Sequence, residues 1–158
     1  MTQVSVVCVG KLKESCWREA VAEYVKRLSA YCKLDIEELA EERLPDSPTE
    51  AQALAALDAE ADRILARLEG KTVIALCVEG KPCTSEQLAE RMGREIDAGK
   101  KLAFVIGSSH GLSERVKRRA DVRLSFSALT FPHQLFRVML LEQIYRGFTI
   151  LDGKIYHK

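Results

Sequence analysis

The sequence predicts an α/β fold with a mainly parallel sheet and helices on both faces. Short apolar runs alternate with segments of helical spacing along the 158 residues, in the order β-α-β-α-β-α-β-α-β-α. That alternation is the pattern of a parallel sheet wound with helices. Two of the runs, Thr72–Val78 and Leu102–Ile106, are apolar almost without a break, as central strands covered on both sides are. The last two strands each open into a loop of small, polar or glycine residues, which is where open α/β sheets bind their ligands.

Val4–Val9 is rich in β-branched residues and ends at Gly10, so it reads as the first strand. After the loop Lys11-Leu12-Lys13, apolar residues recur at Trp17, Ala20, Val21, Tyr24, Val25 and Leu28, which predicts a helix from Glu14 to Tyr31. Lys33–Leu39 alternates as a second strand, and Glu41–Ser47 is a polar loop. Ser47-Pro48-Thr49-Glu50 reads as a helix start, with Ser47 as cap, Pro48 at the first helical position and Glu50 closing a capping box. The alanine-rich helix then runs to about Glu69 and stops at Gly70.

Thr72–Val78 is the third strand, and Glu79-Gly80-Lys81-Pro82 reads as a turn. Thr84 or Ser85 caps a helix that carries Leu88, Met92 and Ile96 on one face and ends at Gly99. Leu102–Ile106 is the fourth strand, Ser113 caps a short basic helix, and Val122–Phe126 is the fifth strand. The last helix, from about Pro132 to Phe148, is apolar around most of its circumference. Such a helix is buried on several sides, which here predicts the sheet on one side and a second subunit on the other. Glu142, Gln143 and Arg146 are its polar exceptions and fall on one strip; Glu142 and Arg146 also have the spacing of a helix ion pair.

The length predicts one domain over residues 1–158, with a full core and no need of staples. The apolar fraction, 47%, and the charged fraction, 30%, are those of an ordinary globular protein. No apolar run approaches the roughly 20 residues that span a bilayer. The N-terminus lacks a basic segment ahead of its apolar residues, so a cytoplasmic protein is expected. Five cysteines, an odd number and none in CxxC spacing, argue against a disulfide framework and a zinc site. The net charge of +1 announces no nucleic-acid partner in bulk, but Arg115, Lys117, Arg118 and Arg119 form a local basic run. His110, His133 and His157 do not have metal-ligand spacing, so no metal is expected.

The glycines do not form a dinucleotide fingerprint or a phosphate-binding loop. Gly107 and Gly111 instead bracket a turn whose backbone can approach a ligand closely. Ser127-Ala128-Leu129-Thr130-Phe131-Pro132 offers backbone hydrogen bonds and apolar walls to a flat heterocycle, and Leu76 can add an apolar contact from the third strand. The tail Ile155-Tyr156-His157-Lys158 is short enough to fold back over such a site.

Several stretches together resemble one family along the whole chain: VGKLKE with its following tryptophan, FVIGSSHGL, SALTFPH followed by R-x-x-x-x-E-Q-x-Y-R, and the terminal YHK. The chain is similar to the bacterial ribosomal RNA large subunit methyltransferase H family, SPOUT-class enzymes that methylate N3 of a pseudouridine in 23S ribosomal RNA. The resemblance implies a C-terminal trefoil knot, a homodimer packed about it, and S-adenosyl-L-methionine bound along Leu76, Gly107, Gly111 and Ser127 to Pro132. It also implies action on the assembled ribosome. The family reads Ile-Gly-Gly where this chain has Ile106-Gly107-Ser108, so a changed cofactor contact is expected at Ser108.

Methylation at N3 needs a proton acceptor and donors for the charge that develops on the flanking carbonyl oxygens. His157 is the expected base, because its side chain titrates near neutrality. Arg146 would stabilise charge or hold a phosphate, and Tyr156 would stack on the target base. Glu142 would orient Arg146 or act as the base instead. Arg115, Lys117, Arg118 and Arg119 are the expected phosphate contacts. Two other readings stay open: a related knotted methyltransferase acting on another RNA, and a nucleotide-binding module without catalysis.

Overall fold

The computed structural model describes residues 1–157; Lys158, the last residue of the YHK motif, lies outside the described residues. The elements are β1 (Thr2–Val9), α1 (Ser15–Leu28), β2 (Cys32–Leu39), α2 (Glu50–Leu65) and β3 (Lys71–Pro82), followed by α3 (Ser85–Asp97), β4 (Lys101–Ile106), α4 (Glu114–Arg119), β5 (Val122–Ser125) and α5 (His133–Leu151). The five strands form one parallel sheet in the order β2-β1-β4-β3-β5.

Strand side chains alternate between faces, and here both faces are apolar. Val4, Val6, Cys8, Ile74, Leu76, Leu102, Phe104 and Ile106 pack with residues of α1, α3 and α5. Val7, Val9, Val73, Ala75, Ala103 and Val105 pack with residues of α2 and α4. The unbroken apolar runs of β3 and β4 follow from this double burial. The chain leaving β4 goes to the α2/α4 face, whereas the chains leaving its neighbours β1 and β3 go to the other. The carboxyl end of β4 is therefore a topological switch point, the place where open sheets leave a crevice.

Four details differ from the sequence expectations. Helix α2 is capped by Thr49, not Ser47. The Thr49 hydroxyl accepts from the Gln52 amide at 3.1 Å, and the Gln52 side chain accepts from the Thr49 amide at 2.9 Å. This capping box closes through Gln52 and leaves Pro48 outside the helix. Helix α1 stops at Leu28, three residues early.

The segment Glu79–Pro82 is not a turn but the end of β3. Its pairing with β5 slips from Leu76 to Lys81, so the chain bulges at 77–80 and rejoins the strand. Gly80 permits this, because a Cβ there would stand 2.6 Å from the Leu124 backbone. Finally, α5 runs to Leu151. It lies close on α3: a Cβ on Gly147 would meet Met92 Sδ at 2.8 Å, and one on Gly93 would meet Leu151 at the same distance.

Candidate active site

The loop after β4 is a tight turn. The Gly111 amide donates to the Ser108 carbonyl at 2.8 Å, and Gly111 has φ +89. A Cβ on Gly107 would lie 2.1 Å from the Gly111 carbonyl oxygen, so Gly107 must be glycine for the turn to close. Ser108 is buried and has no positive φ. Serine therefore fits this backbone without strain.

The loop after β5 is held by its own hydroxyls. Ser125 donates to the Ser127 carbonyl at 3.1 Å, and the Ser127 hydroxyl accepts from the Leu129 amide at 3.0 Å. Phe136 of α5 packs against both Phe126 (4.9 Å between ring centroids) and Phe131 (6.3 Å), which fixes the loop to the helix.

These two loops and the end of β3 enclose a cavity of about 310 Å³ at the β4 switch point. Leu76, Gly107, Gly111, Ser127, Leu129, Thr130 and Phe131 line it; Ala128 and Pro132 do not. Of its two charged residues, sequence reasoning missed Glu79 and assigned Lys117 to RNA phosphates; the two form an ion pair. Glu79 is held below the usual carboxylate range, chiefly by the Lys117 ammonium. Burial pulls Lys117 down, but Glu79 and Glu114 together outweigh it and the net direction is up. His133 also lines the cavity, and burial pushes its imidazole down, against the opposing pull of Glu41. Leu129 and Val78 remain 71% and 54% exposed at the rim.

A second cavity, of about 450 Å³, lies beside the first and shares Leu124, Ser125 and Phe126 with it. Glu142 and Gln143 line it, and around them gather the residues of the polar strip and the tail. Arg146 donates to Glu142 Oε1 at 2.6 Å through Nη2, with Nε at 3.1 Å. Tyr156 donates its hydroxyl to Glu142 at 3.2 Å, and the Arg146 guanidinium sits 4.9 Å from the Tyr156 ring centre. Gln143 donates to Glu142 at 2.9 Å and accepts from the Ser85 hydroxyl at 2.7 Å.

His157 is held on both sides. Its Nδ1 lies 3.2 Å from Arg146 Nη1, and its Nε2 lies 2.6 Å from Glu86 Oε1. A guanidinium only donates, so Nδ1 accepts, and the ring proton sits on Nε2 and is donated to Glu86. No sequence signal points to Glu86, which is 71 residues away from His157. The structure thus brings His157, Arg146, Tyr156 and Glu142 together, but docks the tail on α3. His157 and Tyr156 are not among the residues lining the glycine-loop cavity.

The basic run on α4 is dispersed. Arg115 pairs with Asp58 and Asp62, both at 2.8 Å. Arg119 donates to the carbonyls of Leu68 at 3.1 Å and Lys71 at 3.0 Å, which ties α4 to the end of α2. Lys117 is taken by Glu79, and Arg118 is exposed without an acidic partner among the described residues.

A parallel sheet with a crevice of this kind at its switch point is the framework of a nucleotide- or cofactor-dependent enzyme. The family model described as "Predicted SPOUT methyltransferase" matches residues 2–157. The chain is 49% identical over 157 residues to the ribosomal RNA large subunit methyltransferase H of Bacillus pumilus (strain SAFR-032), covering 98% of this chain and 99% of that protein. It is 51% identical to the protein of the same name from Clostridium novyi (strain NT), with the same coverage. Among solved structures, a "probable methyltransferase" from Bordetella pertussis Tohama I has a TM-score of 0.60 at 18% identity, covering 93% of this chain and 95% of that one, a likeness of fold. The chain belongs to the SPOUT methyltransferases, and within them to the large-subunit ribosomal RNA methyltransferase H family.

Methyl transfer is the reaction class of this family, and S-adenosyl-L-methionine is its methyl donor. The residues present fit that cofactor. The glycine-loop cavity joins apolar side chains (Leu76, Leu129, Phe131) to small hydroxyl residues (Ser127, Thr130) and a carboxylate, Glu79, the kinds of group that suit an adenosyl moiety with its hydroxyls.

Proposed function

We propose that the chain methylates N3 of a pseudouridine in large-subunit (23S) ribosomal RNA, acting on the assembled ribosome as a cytoplasmic homodimer. The near-half identity to relatives named as large-subunit ribosomal RNA methyltransferases carries this reading. The pairing of a small-molecule cavity with an adjoining cluster of proton-handling groups supports it from the geometry. A single domain and the C-terminal trefoil belong to the same reading.

When bound, S-adenosyl-L-methionine supplies an electrophilic methyl group on a sulfonium. Leu76, Gly107, Gly111, Ser127, Leu129, Thr130 and Phe131 hold it, and Ala128 and Pro132 shape the loop behind them. The chain's own residues handle the pseudouridine proton. Its N3–H is a weakly acidic imide whose charge, once the proton leaves, spreads over two carbonyl oxygens. Arg146 exchanges His157 Nδ1 for one of those oxygens and stabilises the charge there. The freed Nδ1 accepts the N3 proton, while Nε2–H stays on Glu86. Glu86 thereby fixes the tautomer and supports the imidazolium, as an acidic partner does in hydrolytic triads.

Glu142 accepts from Arg146, Gln143 and Tyr156. With its lone pairs so committed, it orients Arg146 and is not the base. Tyr156 positions the target base by stacking. The half-buried outer residues of α5, Leu135, Val138 and Met139, and the exposed Leu129 support a dimer face.

The test is transfer of labelled methyl to assembled ribosomes and to free ribosomal RNA, both from cells lacking the modification. Transfer to ribosomes in excess of free RNA is expected. Cofactor binding without transfer to either would favour a binding module.

A further inference from the structure

The basic run on α4 was the expected contact for RNA phosphates, yet three of its four cations are engaged within the chain. Besides Arg118, a group of three cations without carboxylate partners among the described residues lies together elsewhere. A cavity of about 790 Å³ is a groove between the end of β3, helix α3 and the edge strand β5. Lys81, Arg91, Arg94 and Arg123 line it, against Glu79, Glu90 and Asp121.

Its acidic groups are mostly neutralised from outside the groove. Glu79 is paired with Lys117. Asp121 accepts from the Val73 amide at 2.8 Å and lies 3.4 Å from Arg119. Arg91 is paired with Glu95 at 3.2 Å. Lys81, Arg94 and Arg123 are exposed, with no carboxylate in ion-pair range among the described residues, and only Glu90 opposes them. A groove with surplus positive charge and low-dielectric walls attracts a polyanion.

The groove also leads to the chemistry. It shares Cys83, Leu88 and Leu124 with the cavity beside the tail, and Glu79 and Leu124 with the glycine-loop cavity. We propose that this groove is the track for the RNA backbone: Lys81, Arg94 and Arg123 hold successive phosphates along β5 and α3 and deliver the target nucleotide to the cavities at the strand ends. The inference rests on the proposed action on ribosomal RNA and names the surface by which that RNA is held. It departs from the α4 assignment, since a cation already paired with a carboxylate releases no counterion when a phosphate arrives.

The test is the salt dependence of binding to large-subunit ribosomal RNA, protein-free and in assembled particles, for the wild type and for Lys81→Gln/Arg94→Gln/Arg123→Gln. Arg115→Gln serves as the comparison. S-adenosyl-L-methionine binding by each variant reports that the fold is intact. Each phosphate contact contributes about 0.7 to 0.9 to the slope of log affinity against log salt. The triple variant is therefore expected to flatten the slope by about two, and Arg115→Gln to leave it unchanged. An unchanged slope in the triple variant, with the wild type still methylating RNA, overturns the groove and leaves the proposed function standing. A change seen with particles but not with protein-free RNA would assign the groove to an acidic ribosomal protein and overturn it too. Absence of RNA binding and methyl transfer in the wild type overturns both.

Discussion

At the scale of single residues, the chemistry depends on what each polar atom is already doing. His157 has one ring nitrogen on a guanidinium and the other on a carboxylate, which determines its tautomer and makes Glu86 a positioning residue. His157→Ala should lower turnover at saturating substrate by about 10²- to 10³-fold while cofactor affinity stays unchanged. Wild-type turnover would remove His157 as the base. Glu86→Gln should lower turnover by about tenfold or more and alter the pH profile, a change that a merely structural contact would not produce. Glu86 is held below the usual carboxylate range, first by its own backbone amide and then by His157. A depressed carboxyl stabilises the docked tail above its unfolded value and loses that contribution only as pH falls through the lowered one. NMR signals of Tyr156 at neutral pH should therefore be displaced in Glu86→Gln.

Ser108 and Gly107 make a contrasting pair. Ser108→Gly should leave cofactor affinity within about twofold, since no unusual φ is relieved. Gly107→Ala should weaken it by tenfold or more, because the new Cβ cannot coexist with the Gly111 carbonyl. Isothermal titration with S-adenosyl-L-methionine reads both. The glycine loops were legible in the sequence as small residues directly after apolar strands, where open sheets leave their crevice. Glu86 was not legible, because nothing in a first-turn glutamate announces a partner 71 residues on.

At the scale of elements, one buried side chain joins the last helix to the first loop. Arg137 of α5 is nearly buried and reaches Glu38 at 2.6 Å and the Gly10 carbonyl at 3.2 Å. Arg137→Met removes both contacts. Glu38 is partly exposed and can be hydrated once alone, so the loss should be about 2 kcal/mol, below that of a fully buried pair. A fall in Tm of about 6 °C is expected, and an unchanged Tm would show that the link carries no stability. The strands and most helices were legible because apolar periodicity reports burial directly. The end of β3 was not: Glu79-Gly80-Lys81-Pro82 has turn composition, and its glycine serves the passage of one backbone over another. The α4 run misled for a related reason. Adjacent cations look free until the fold sets Asp58, Asp62 and Glu79 opposite them.

At the scale of the whole molecule, the sheet order puts the cofactor loops, the tail cluster and the basic groove at one end of the domain, meeting at Leu124. The outer face of α5 remains apolar and half-exposed. Val138→Glu/Met139→Glu should convert the proposed dimer to monomers in sedimentation, because a charge on such a face opposes its burial. An unchanged sedimentation coefficient would place the dimer contact elsewhere. The groove was illegible from sequence for a geometric reason: its cations come from three separate segments that only folding assembles.

The most direct measurement is nucleoside analysis of ribosomal RNA after incubation of unmodified ribosomes with the protein and labelled S-adenosyl-L-methionine. The account predicts that the label appears as a single product, pseudouridine methylated at N3, and disappears with His157→Ala. Label on another nucleoside, or on a ring position that needs no proton to leave, would contradict it.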